Sequence, residues 1–269
     1  MQAIVLREIG GPQNLHLEEI EAPVAGPGEI LIQVHCAAFN RRDVFITQGL
    51  YPGIVFPVIP GSDGCGVVAA HGPGATGPAV GTSVVINPML GWGDNPALWR
   101  TDSSLLGMPR PGTFAEYVTA PAENVHPKPA RLRAEQAAAI PLGGLTAYRA
   151  VFTRGRCTKD DVVLIPGIGG GVQTFALLFA KSTGARVVTY GGTTGDAKIR
   201  PFSVFWKHLD ILGTSMGSPA DFSAMLRRFA ESSLEPAIDE VVPLAGGPAA
   251  AQRVLDGEQF GKVVVRVAG

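Results

Sequence analysis

The chain has 269 residues, 46% of them hydrophobic, with 22 lysines and arginines against 23 aspartates and glutamates; that is enough apolar chain for one large or two ordinary domains with a sizeable core. The balanced charge, with no basic run and no basic patch interleaved with aromatics, argues against nucleic acid as a partner. No stretch approaches the ~18–20 apolar residues of a membrane span and the N-terminal stretch is charged, so a cytoplasmic protein with no membrane partner is expected.

In chain order, residues 2–8, 15–21 and 29–35 are β-favouring runs, the third entered through Gly26-Pro27-Gly28, whose backbone preferences make a tight turn. Residues 37–50 have partly helical spacing and predict one or two helical turns. Strands follow at 65–70, 82–87 and 113–119, and between the last two a loop of about twenty residues, 88–109, carries Trp92 and Trp99. Loops of that length in compact domains are functional or disordered, and the tryptophans favour a packed lid or a partner contact over disorder. Two helices, 133–139 and 145–152, are joined by Pro141-Leu142-Gly143-Gly144. Cys36, Cys65 and Cys157 lie far apart without CxxC or Cys/His spacing; they read as buried small hydrophobes, not a disulfide framework or a closed zinc site.

Residues 161–192 form the densest pattern. An apolar run at 162–165, a turn with Gly167, Gly169, Gly170 and Gly171, a helix at 172–181 and a second strand at 185–190 follow without interruption, the order that opens a nucleotide-binding fold. Beyond it the sequence predicts helices at 200–208, 219–231 and 248–256, and strands at 210–214, 238–243 and 262–267.

Seven stretches, VHCAAFNRRD at 34–43, GLYP at 49–52, PGSDGCGVV at 60–68, GTFAEYV at 112–118, PLGGLTAYRAV at 141–151, the glycine turn at 167–171 and FGKVVV at 260–265, resemble the medium-chain dehydrogenase/reductase superfamily. Within it they are most similar to the zinc-free quinone-oxidoreductase-like branch. The resemblance implies an α/β plus β fold: a GroES-like irregular β-barrel catalytic domain, 1–130 completed by 236–269, with a Rossmann-like dinucleotide-binding domain, 131–235, inserted. It also implies a cleft between them that holds NADPH, a small quinone or enone substrate, and a homodimer.

In zinc-dependent members a Cys stands where this chain has Asn40, and a His-Glu pair where it has Ser62-Asp63. The lobe that binds structural zinc corresponds to 88–109, which has no cysteine, so a site without metal is implied. Carried over, Asn40 and Tyr51 line the substrate side and Asp43 and Asp63 are acid/base candidates. Thr146 touches nicotinamide; Gly167, Gly169, Gly170, Gly171 and Val172 lie under the pyrophosphate, and Gly191, Gly192 and Lys262 complete the cofactor contacts. The chain departs from the family at Phe45, where a tyrosine is frequent, and at Gly81-Thr82, in place of Gly-Asp.

A full Rossmann domain has six strands. Here the 185–190 strand runs straight into GGTTG at 191–195, which resembles the end of the fifth strand. Two βαβ units, about 60 residues, are thus expected to be missing, leaving about three parallel strands, with the 210–214 strand lacking its normal neighbours and exposed apolar surface there favouring an oligomer.

Two functions follow. One is hydride transfer from NADPH to quinones or α,β-unsaturated carbonyls without zinc. The other is a cofactor-free, redox-neutral enzyme of cyclase or isomerase type, or a non-catalytic binding subunit, reusing the same cleft. Individual residues divide likewise. The glycine turn is a phosphate cradle or only a packing turn; Asp43 and Asp63 are acid/base groups or a cap and a turn former; Tyr51 donates to a carbonyl or packs its loop. Lys262 reaches the cofactor or is a solvated edge charge. His71 and His126 read as surface-turn residues.

Overall fold

The computed structural model describes residues 1–158, 161, 163, 165, 169–180, 188–189 and 212–268. The predicted helix at 200–208, half of the 162–165 strand, most of the 185–190 strand, and Gly167, Gly191 and Gly192 lie outside them.

The first 130 residues are built on β3 (Glu29–Ala38), a ten-residue strand with Ile30, Ile32 and Val34 buried in alternation. Before it, β1 (Gln2–Leu6) and β2 (Leu15–Glu19) form a separate hairpin, bridged to the rest through Ala3 to Ala115 and Leu6 to Val58. After it come α1 (Arg41–Thr47), β4 (Asp63–His71) and β5 (Ser83–Ile86). β9 (Tyr117–Pro121) and β10 (Val125–Pro127) follow a small lobe. The main sheet runs β10-β5-β4-β3 and then takes in the two C-terminal strands, β14 (Lys262–Arg266) and β13 (Ile238–Pro243), while β9 also pairs β3. These sheets make the irregular β fold that was expected, without a closed barrel.

β3 changes faces midway. A bulge between Val34 and Cys36 breaks its register with β4, and an inserted residue reverses which side chains point inward. Before the bulge Ile30, Ile32 and Val34 enter the core under the hairpin and α1; beyond it Ala37 and Phe39 do so. Cys36 and Ala38 turn instead to a second core, shared with the helices. That core is formed by α2 (Ala134–Ala139), α3 (Pro141–Tyr148), α4 (Gly171–Ala180) and α5 (Pro219–Glu231), with Phe175, Phe179, Phe222 and Phe229 fully buried. The last helix, α6 (Gly247–Asp256), closes the first core through Ala250, Ala251 and Val254.

Four sequence expectations change. Pro141-Leu142-Gly143-Gly144 is the first turn of α3, not a connection: Pro suits a helix start, and the glycines admit close packing, since a Cβ on Gly144 would lie 2.9 Å from Met225 Sδ. The 88–109 segment holds β6 (Met89–Leu90), β7 (Ser104–Leu106) and β8 (Pro109–Arg110), a three-stranded sheet around buried Trp92. Residues 113–114 bond to the backbone of Pro60 and Gly61, which delays β9 to Tyr117. The 210–214 strand is not left alone: Leu212–Gly213, β12, pairs in parallel with Val188–Thr189, β11.

The cysteines are buried as expected. Burial pushes the Cys36 thiol up to about 11 and the Cys65 thiol up to about 12, so at pH 8 neither supplies the reactive thiolate. Iodoacetamide followed by peptide mass spectrometry is expected to leave both unmodified in the native protein and to label both in urea.

Candidate active site

The bulge decides where the polar residues go. Ala38 pairs with Asp63 on one side and with Val264 on the other. Asn40 lies two residues beyond Ala38 and Lys262 two before Val264, so by the alternation of a strand all three polar side chains share the face of Cys36 and Ala38. They meet at the edge of the second core.

There Lys262 Nζ donates to Asn40 Oδ1 at 2.7 Å and to Asp63 Oδ2 at 2.8 Å, and Asn40 Nδ2 donates to the same Asp63 oxygen at 3.0 Å. The other oxygen, Asp63 Oδ1, accepts from the Leu142 amide at the start of α3, 2.7 Å away. Exposure is 0% for Asp63, 2% for Lys262 and 9% for Asn40. A lysine and an aspartate this deep persist only as a bonded pair. The solvated-edge reading of Lys262 is therefore excluded.

The glycine turn abuts this cluster. Gly261, at φ 91°, donates its amide to Gly169 O at 3.0 Å, and a Cβ there would lie 2.4 Å from Ala237 O. Glycine is required by that approach. A Cβ on Gly171, where α4 begins, would lie 3.1 Å from Lys262 Cδ. Val172 is in α4 and half-buried, and Gly170 O accepts the first helical bond, from Thr174. Thr146 is buried on α3, its hydroxyl 3.9 Å from Met216 Sδ.

The other candidates take structural positions. Asp43 caps α1: its carboxylate accepts from the Asn40 amide at 2.8 Å and the Gly61 amide at 3.3 Å. Burial pushes its carboxyl up, against the pull of the Arg42 charge and the Asn40 amide. Tyr51 packs against the first core with the Arg42 guanidinium 4.8 Å over its ring. Arg42, unmarked in the sequence except by its place in NRRD, donates to Ser62 Oγ and Leu106 O. His71 is exposed but is the last residue of β4 and not part of a turn, its Nε2 2.9 Å from Pro78 O. His126 is not exposed: it stands in β10 against Phe222, where burial lowers its pKa. Two surface hollows, of about 340 and 580 Å³, lie elsewhere, the larger beside Tyr148, Leu178 and Arg227.

The alcohol dehydrogenase GroES-like domain family matches residues 26–130. Along its whole length the chain superposes on a solved NAD-dependent alcohol dehydrogenase with a TM-score of 0.87 and 30% identity, covering 100% of each chain. The chain belongs to the medium-chain dehydrogenase/reductase superfamily.

Other members of the superfamily bound its relationship. A zinc-type alcohol dehydrogenase-like protein of Leptosphaeria maculans is 27% identical over 338 aligned residues, 94% of this chain and 94% of that protein. The human quinone oxidoreductase is 30% identical over 201 residues, 74% of this chain but 55% of that protein. Against the second relative the chain thus spans little more than half the length. With the first, the alignment is longer than the chain itself.

Proposed function

We propose that this protein is a zinc-independent reductase that delivers hydride from NADPH to quinones or α,β-unsaturated carbonyl compounds. The observation that carries the reading is the buried Lys262–Asp63–Asn40 cluster at the edge of the glycine turn. Asn40 and Asp63 occupy the positions where zinc-dependent members carry metal ligands, and here a lysine ammonium is bonded to both. Ser62 Oγ receives a hydrogen bond from Arg42. A cation site whose oxygens are already committed to two fixed cationic side chains, with an amide and a hydroxyl as neutral donors, does not fit zinc, which needs three good ligands in a catalytic site. No group of three or more His, Cys, Asp or Glu among the described residues could hold a metal ion.

The residues do fit a nicotinamide cofactor. Gly169, Gly170 and Gly171 open α4, and unpaired amides at a helix start favour a pyrophosphate; Thr146 stands on α3 beside the same core. When bound, the cofactor supplies the hydride. The chain orients the acceptor, excludes water with the apolar second core, and places a hydrogen-bond donor at the substrate oxygen. In this reading 1–130 with 236–269 forms the catalytic domain and 131–235 a shortened nucleotide domain, in keeping with the 338-residue alignment and with β11 lying directly beside β12.

NADPH titrated into the purified protein is expected to raise the melting temperature; at 100 times the dissociation constant the gain is about 2.7 kcal/mol. No shift at millimolar NADPH or NADH would sink the reductase reading and leave the redox-neutral or binding role, which the short nucleotide domain favours.

A further inference from the structure

Asn40 is the most exposed member of the cluster, and it holds an unusual post. It is the residue before α1, where an asparagine side chain normally caps the helix. Here the cap comes from Asp43 and from the Asn40 carbonyl, which accepts the Asp43 amide at 3.0 Å. No side-chain cap bond forms from Asn40. Its amide is turned to the cluster instead.

The two partners leave that amide no choice of direction. A lysine ammonium only donates, so it takes Oδ1; a carboxylate only accepts, so it takes Nδ2. An isolated asparagine flips between two orientations of nearly equal shape, but this one is fixed at both ends. Each Nδ2 carries two N–H groups, and among the described residues only Asp63 accepts from it. One N–H is left over, on the least buried member of the cluster.

We propose that Lys262 and Asp63 are positioning residues that lock Asn40 as a hydrogen-bond donor, and that this donor selects a substrate by a carbonyl oxygen. The inference rests on the reductase reading for its substrate class. In that chemistry hydride adds to the β-carbon, the C=C pair moves to form the enolate, and negative charge collects on the oxygen; a proton from water then completes the α-carbon while the reduced nicotinamide is oxidised. An Nδ2–H fixed at the oxygen meets that charge as it develops. A flipped amide would present Oδ1 and repel it.

The test uses cinnamaldehyde, with the carbonyl carbon isotopically labelled, bound to the full-length protein and read by infrared difference spectroscopy, alongside NADPH-dependent turnover. In the wild type the bound carbonyl stretch is expected to fall. Asn40→Ala and Lys262→Met are each expected to abolish that fall and to lower kcat about 100-fold with KM changed less than about threefold. Lys262→Arg, which still only donates, should restore most of both. The double variant Asp63→Asn, Lys262→Met has no buried charge and so keeps its fold where single variants fail; it should bind cinnamaldehyde without the carbonyl shift. No shift in the wild type, or a wild-type shift in Lys262→Met or the double variant, would overturn the proposal. A carbonyl shift that depends on Lys262 without any NADPH oxidation would uphold the lock and refute the reductase; turnover indifferent to Lys262 would do the reverse.

Discussion

Asp63→Ala is expected to lower stability by at least about 3–5 kcal/mol, measured by urea unfolding at neutral pH. The substitution removes the acceptor for three donors at once: the Lys262 ammonium, Asn40 Nδ2 and the Leu142 amide. A buried charge left without its counter-ion costs about that much, and each orphaned neutral donor adds about 1–3 kcal/mol of desolvation unless water enters. Adding Lys262→Met to Asp63→Ala should recover part of the loss, because the charge leaves with its partner. A single-variant loss below about 1 kcal/mol would mean that the site is wet.

Arg149→Met carries the second large effect. Arg149, 2% exposed, bonds Asp221 at 2.6 Å and the carbonyls of Pro96 and Ala97 at 2.8 and 2.9 Å, with its guanidinium 4.8 Å over Trp92. It thus joins α5 to the small lobe of β6, β7 and β8. Losing it should cost about 3–5 kcal/mol and open residues 93–104 to trypsin and chymotrypsin, while cleavage elsewhere is unchanged. The Asp221 side of the pair is testable by pH. Burial acts to raise its carboxyl, but hydrogen bonds from Thr153, Ser218 and Arg149 outweigh it and hold the carboxyl below its ordinary value. A depressed native value gives stability that is present above the unfolded value of about 3.9 and is lost as pH falls through the native one. Asp221→Asn should therefore be less stable at pH 7 and should lose less between pH 4 and pH 2 than the wild type.

The sequence was most legible where local chemistry decides structure. Alternating Ile30, Ile32 and Val34 announce β3; Phe222, Met225, Leu226 and Phe229 at helical spacing announce α5; and FGKVVV announces β14. The glycine-turn stretch pointed to the superfamily, yet its geometry alone does not place the chemistry. Asn40, Asp63 and Lys262 were legible as candidate site residues only through the resemblance, and the pairing of Lys262 with Asp63 was not legible at all, because it depends on a bulge. One extra residue between Val34 and Cys36 sets which face Asn40 takes, and no propensity records it. Arg149 and Asp221, 72 residues apart, were invisible for the usual reason: an ion pair between distant segments leaves no periodic trace. Asp43, read as an acid/base group or a helix cap, stands in the cap position of α1.

The seating of β14 between β13 and β3 has a consequence for biosynthesis. The lysine that neutralises Asp63 follows it by 199 residues, and Asn40 waits 222 residues for the same group. While the chain is being made, the sheet lacks its strand and the acidic pocket lacks its cation, so the N-terminal half reaches a native arrangement only after residue 266 has left the ribosome. At about 5–20 residues per second that interval is about ten seconds or longer, with the Cys36–Ala38 end of β3 lacking its β14 partner throughout. Nascent chains stalled short of Gly261 should bind holdase chaperones and resist none of the proteases that the released chain withstands.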